Sequence, residues 1–321
     1  VTRATHGFWL HLAVHTHLTR FHQRFIQRFF TSFFPEPVMF LTRRLSAPSQ
    51  RTSLMVATLL LGATVLIPEP SLQAQRRGDQ QTDRSFTWSG TIPAGRRIMI
   101  KNINGGIEVE RATGNRVEVT AEKRWRRGDP EMVRIEQQKI GDEVLVCALW
   151  GEESRCDENG IRSQRNSRWN NNRDNDVSVH FVVRVPEGVR VDVSTVNGGL
   201  EVNGVTTEVR ANTVNGSIQA RSAGGPVRAK TVNGSITVSM GSVSRAEDLE
   251  YETVNGSVTV ELPSNFGAQL ELSTVNGRVT TDFPITISGT ISPKRLRGTV
   301  GDGSTRLRAS TVNGSVTLRR N

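Results

Sequence analysis

The chain has 321 residues, 41 Lys and Arg against 31 Asp and Glu, a formal net charge of +10 and two cysteines. The length allows one large or two small domains. Basic and acidic residues interleave, as in Glu122-Lys123-Arg124 followed by Asp129 and Glu131, with no Lys/Arg stripe and no reading module, which argues against nucleic-acid binding. Five of six histidines precede position 75, so His180 alone remains downstream and no histidine-based metal set can be assembled there.

Residues 1–38 are rich in His, Phe and Arg and precede a plausible start at Met39. Phe21, Phe25 and Phe29 recur every four residues, which would suit an amphipathic membrane-binding helix, but an untranslated or unstructured upstream extension is the expectation, because export signals normally lead a chain. Residues 39–74 read as a signal peptide. Arg43, Arg44 and Arg51 form its basic lead, Leu54 to Ile67 is uncharged and mostly apolar, and Leu72-Gln73-Ala74 offers a cleavage site. The apolar run is shorter than the roughly 20 residues of a comfortable membrane span, so cleavage is expected over a retained anchor. Without residues 1–74 the net charge falls to 34 − 29 = +5, since seven Arg and two Glu lie in them.

Residues 75–85 form a polar linker, and 86–150 an irregular β cap. Val117, Val119 and Ala121 alternate with polar residues, and Val133–Gln138 and Glu143–Leu149 flank the turn Ile140-Gly141-Asp142. Cys147 and Cys156, nine positions apart in an exported chain, are expected to form a disulfide. Residues 151–176, rich in Asn and Arg with few apolar groups, are expected to be a mobile loop. Its acidic residues Asp157, Glu158, Asp174 and Asp176 match no calcium-loop spacing.

From 177 to 321 the chain repeats itself. The phrase Thr-Val-Asn-Gly occurs six times, with asparagines at 197, 215, 233, 255, 276 and 313. Successive differences are 18, 18, 22, 21 and 37, the last read as two coils with one degenerate phrase between them. A weaker phrase, Ile103-Asn104-Gly105-Gly106-Ile107, precedes the regular set. Each phrase is flanked by period-two alternation, as in Val209, Ala211, Thr213, Ile218 and Ala220, which predicts two half-buried strands per repeat. The predicted fold is all-β: a single-chain β-solenoid of about 18–22-residue coils, with Asn stacked on Asn. An antiparallel β-meander of Asn-Gly hairpins is the alternative. In both, the recurrent Asn and Gly are assigned to corners that use positive φ.

At these residues the chain resembles the bacterial "putative adhesin" family of domain-of-unknown-function 4097. The likeness runs from about Ile98 to Leu318, is densest from Val189, and includes the closing run Gly298-Thr299-Val300-Gly301-Asp302-Gly303. The resemblance implies an exported or envelope-associated β-repeat protein. The expected function is a non-catalytic envelope protein, secreted, periplasmic or surface-located, whose extended solenoid face binds a surface polymer or a membrane or envelope protein. An envelope-stress regulatory or scaffold component is the alternative; a polysaccharide-acting enzyme on a β-helix is a third reading. Glu201 and Glu208 are isolated, and Glu247, Asp248, Glu250 and Glu252 crowd one coil, where alternate residues simply share an outward face. No catalytic, cofactor-binding or metal-binding residue is therefore nominated, and neither a small-molecule substrate nor a nucleic-acid partner is expected.

Overall fold

The computed structural model describes residues 84–162, 175–243, 248–287 and 292–321. The chain divides into two units, Val1–Asp79 and Gln80–Asn321, and every described residue belongs to the second. The expected upstream extension, signal peptide and most of the linker lie outside the described residues, as does the greater part of the Asn/Arg-rich insert.

Two long sheets share one core, and each coil crosses from one to the other through a Thr-Val-Asn-Gly corner. Strands preceding the corner join sheet 2, of eleven strands; strands following it join sheet 1, of ten. One coil illustrates the pattern: Val209–Asn212 lies in sheet 2, Thr213 to Gly216 make the corner, and Ile218–Ser222 lies in sheet 1. Both strands bury every second residue, which is the alternation that the sequence carries. Coil-to-coil pairing is parallel and in register, with Leu200 opposite Ile218, Ile218 opposite Ile236 and Ile236 opposite Val258. Each such aliphatic side chain, fully buried between the sheets, contributes about 1.5–3 kcal/mol relative to exposure. The architecture is the β-solenoid, and the hairpin meander is excluded because neighbouring phrases pair in parallel.

The order of coils in space differs from their order along the chain in two places. At the front, Asn104 bridges directly to Asn197, so the weak phrase is the first coil of the stack. Of the 92 residues between them, Ile107–Arg111 and Arg190–Ser194 stay in the stacked coils, and other described strands cover the open end of the stack. Ser178–Val185 pairs with Ile107–Arg111, then Val117–Arg124 and Ser85–Gly90 follow antiparallel, while Val133–Ile140 pairs antiparallel with Glu143–Trp150 on sheet 2. At the back, the 37-residue gap is not two coils. After Asn276 the chain makes antiparallel strands Thr286–Ile287 and Arg295–Val300, then returns, and its final coil enters between the coils of Asn255 and Asn276. Thr305–Asn313 thus pairs with both Asp248–Glu252 and Ala268–Asn276, and Val316 lies between Val258 and Val279.

A second, small apolar cluster sits on the outward side of sheet 2. Met99, Leu145, Cys147 and Leu149 point away from the main core and are covered by Cys156 and Ile161. Cys147 and Cys156 are joined in a disulfide, and Cys156 lies in a short hairpin, Arg155–Asp157 with Gly160–Arg162. The segment expected to be a loop therefore begins with a stapled flap that shields these side chains.

Candidate functional site

Three columns of interactions run along the corner. Each corner threonine is buried and donates its hydroxyl to the glycine carbonyl of the neighbouring coil: Thr213 to Gly198 at 2.9 Å, Thr231 to Gly216 at 2.9 Å, Thr253 to Gly234 at 2.8 Å and Thr311 to Gly256 at 2.7 Å. Each asparagine amide donates to the next asparagine's Oδ1, in the spatial order Asn215 to Asn197, Asn233 to Asn215, Asn255 to Asn233, Asn313 to Asn255 and Asn276 to Asn313, at 2.7–2.9 Å. At the front, Asn104 instead donates to the Val177 carbonyl. The glycines are demanded by contact. A Cβ on Gly198, Gly216, Gly234, Gly256, Gly277 or Gly314 would stand under 3.0 Å from the glycine carbonyl of the adjacent coil. Positive φ does not explain them as a set, since among corner glycines it occurs at Gly105, Gly234 and Gly314 and not at Gly198, Gly216, Gly256 or Gly277. Left-handed backbone is thus replaced by close approach as the reason for the column.

The outward faces of the two sheets differ in chemistry. On sheet 2, Arg97 pairs with Glu143 (2.8 Å), Lys101 with Asp192 (2.9 Å), and Glu208 is gripped by Arg210 and Arg228 (both 2.9 Å) and Arg190 (3.6 Å). Lys230 holds Glu250 (2.9 Å) and Glu252 (3.3 Å), and Glu271 holds Arg297 (2.6 Å) and Arg308 (2.8 Å). Hydrogen bonds from Arg297 and Arg308 keep the Glu271 carboxyl below its ordinary value, and the Arg97 hydrogen bond does the same for Glu143. Burial pushes Glu252 upward against the opposing pull of Lys230. Glu208, Glu250 and Glu252 are therefore ion-pair partners on an outward face, and Glu247 lies outside the described residues.

Sheet 1 has ion pairs of its own, Glu110 with Arg184 and Glu261 with Arg319, but its two columns next to the corner are neutral. Ser217, Ser235, Ser257 and Ser315 form one column, where each hydroxyl of the first three accepts from the next serine's backbone N–H at 3.2–3.3 Å. Gln219, Thr237, Thr259 and Thr317 form the column beside it, continued by Thr280, whose hydroxyl donates to Thr317 at 3.2 Å. In the coils of Asn215, Asn233, Asn255 and Asn313 these two columns hold no charged residue, and Arg278 follows Ser315 at the end of the serine column.

Toward the front both columns change together. Gly106 and Gly199 replace serine, and Glu108 and Glu201 replace threonine, opposite one another in the parallel register. A groove of about 320 Å3 opens there, floored by the two glycines and lined by His180, Glu108, Glu201, Ser217 and Gln219. Sequence reading set Glu201 aside as isolated, noted His180 only as too solitary for a metal set, and did not single out Glu108. The signal was the phrase Thr195–Leu200 itself, the one that carries glycine where four others carry serine. Among the described residues no group of three or more His, Cys, Asp or Glu could hold a metal ion. Asp157 pairs with Arg162, and Asp176 accepts the backbone N–H groups of Arg126, Arg127 and Gly128.

These features define a two-sheet parallel β-solenoid with an amide ladder at one corner. Residues 87–319 match the family model Toastrack DUF4097, and the chain belongs to that family. No curated protein matches. Among solved structures, a "putative cell adhesion protein" from Clostridium sporogenes is 10% identical, with a TM-score of 0.45, covering 74% of this chain and 99% of its own. A "putative adhesin" from Bacteroides fragilis is 9% identical, with a TM-score of 0.22, covering 74% and 97%. Another from Parabacteroides merdae is 11% identical, with a TM-score of 0.22, covering 75% and 97%.

Proposed function

We propose that this protein is an exported, non-catalytic component of the bacterial envelope that binds a surface polymer through the outward face of sheet 1. The observation that carries the reading is the contrast between the sheets. The charges described above on sheet 2 are held in internal ion pairs, whereas the two columns of sheet 1 next to the corner offer regularly spaced serine and threonine groups at about the 4.8 Å strand repeat. An extended, hydroxyl-bearing ligand can hydrogen-bond to such a surface coil after coil. The Cys147–Cys156 disulfide supports export, since such bonds persist in oxidising compartments.

The test is a sedimentation assay of the purified chain with insoluble envelope fractions. Wild type is expected to co-sediment. Thr237→Arg with Thr259→Arg, which raises two bulky charges from the neutral column, is expected to abolish co-sedimentation, and Arg306→Ser on sheet 2 to leave it unchanged. Failure of wild type to co-sediment with any fraction would overturn the reading.

A further inference from the structure

The groove on sheet 1 combines two departures from the repeat that have no structural necessity. The first is Gly199. Its Cβ would meet the Ser217 carbonyl at 3.5 Å, an ordinary contact, unlike the corner glycines, where the added atom would collide with the next coil. Serine already occupies the equivalent position at 217, 235 and 257. Glycine here therefore does nothing for the fold except withhold a side chain, and the space withheld is the groove floor.

The second departure is Glu108 beside Glu201. Like charges directly opposite each other across paired strands are destabilising. Several other outward carboxylates meet arginine or lysine: Glu110 meets Arg184, Glu261 meets Arg319, and Glu208, Glu250, Glu252 and Glu271 are paired on sheet 2. Among the described residues Glu108 has no ion pair or side-chain hydrogen bond, and Glu201 only accepts from Asn203 Nδ2 at 3.0 Å. Threonine fills the same column at 237, 259 and 317, so a neutral alternative was compatible with the coil. Both departures fall on the same coils and open onto one cavity, whose end walls are the His180 imidazole and Ser217.

We propose that this groove is a subsite for a single pyranose ring of a polysaccharide, with an amine-bearing sugar preferred over a neutral one and an acidic sugar rejected. The glycine floor gives a flat surface on which the ring's C–H face can lie. Glu108 and Glu201, about 4.8 Å apart along the stack, accept from vicinal hydroxyl or ammonium groups on one edge of the ring. Gln219 and Ser217 continue the hydrogen-bonding edge into the neutral columns, where the next sugar would pass. The cavity is at the small end of the range for ligand sites, which suits one sugar unit of a chain lying across the face. This inference rests on the polymer-binding reading above and adds the position and chemistry of its specificity pocket.

The experiment titrates the full chain with three soluble probes: an oligomer of glucosamine, a cello-oligosaccharide and an oligogalacturonate, by isothermal calorimetry. The expected order is saturable binding of the glucosamine oligomer, cello-oligosaccharide weaker by about tenfold or more, and no binding of the oligogalacturonate. Gly199→Ser and Glu201→Thr import residues that the array already uses, so both should melt like wild type. Each should weaken the glucosamine oligomer by about tenfold or more, the loss of about 1.4 kcal/mol. Absent binding of the glucosamine oligomer, equal binding of the acidic probe, or variants with unchanged affinity would each overturn the subsite. Such an outcome with co-sedimentation intact leaves the polymer-binding reading standing; loss of wild-type co-sedimentation brings down that reading itself.

Discussion

At the corner, threonine, asparagine and glycine recur in every coil from Thr195 to Asn313, whereas two positions after the asparagine the residue runs from glycine to serine to arginine. The two sites are two residues apart in the chain, and they differ in what they touch. Corner groups contact the adjacent coil: the threonine hydroxyl reaches the neighbouring glycine carbonyl, the amide reaches the next amide, and the glycine leaves no room for a Cβ. The outward position meets the adjacent coil only through a long serine hydroxyl contact to a backbone N–H and otherwise faces solvent, so several residues fit there. In a stacked array, uniformity thus reports what each coil requires of its neighbour, and departures from it are where binding chemistry can be installed.

The sharpest way to break this comparison is to substitute one glycine of each kind. Gly234→Val drives a β-branched side chain into the Gly216 carbonyl, and it is expected to destabilise the solenoid by at least about 4 kcal/mol, read as loss of the cooperative thermal transition. Gly199→Ser, on the face, is expected to fall within about 0.5 kcal/mol of wild type in the same melt. Similar effects at the two sites would refute the assignment of contact to one and freedom to the other.

Thr231→Val tests the buried hydroxyl of the corner while holding its shape. The Gly216 carbonyl would lose its threonine donor, at an expected cost of about 1–3 kcal/mol in denaturant unfolding. A neutral result would move the origin of the threonine column from hydrogen bonding to packing alone.

The smallest effects belong to the charged face of sheet 2, and they have opposite signs at two residues. The Glu271 carboxyl is held below its ordinary value by Arg297 and Arg308, so its contribution is present above the unfolded carboxylate range, about pH 4.3, and is lost as pH falls through the lower folded value. Burial raises Glu252, so its contribution is present below that range and is lost as pH rises through the higher folded value. Glu271→Gln should therefore lower stability at pH 7, by about 1 kcal/mol or less, and the gap to wild type should narrow as pH falls below the ordinary carboxylate range. Glu252→Gln should raise stability at pH 7 and make no difference near pH 3. Melting curves at the two pH values decide both, and equal behaviour of the two variants would contradict the pairing on this face.

Much of the fold was legible because a solenoid writes its structure as a period. The alternation around Val209 to Ala220 specifies two strands and their buried sides, and the recurrence of Thr-Val-Asn-Gly specifies that corners stack, since identical groups gain most when each meets its own copy. Both readings depend only on interactions within a coil or between equivalent positions. The order of the coils depended on tertiary structure. Asn104 meets Asn197 across 92 intervening residues, and the coil of Asn313 enters between those of Asn255 and Asn276. Nothing in a repeat phrase says which copy it will stack upon, because Val258, Val279 and Val316 offer nearly equivalent edges; the choice falls to the strands that cap the ends and to the antiparallel pair after Asn276. The groove was decided in the same way. Gly199 and Glu201 are visible in the sequence, but Glu108 and His180 reach them only because distant segments become neighbouring strands of one sheet.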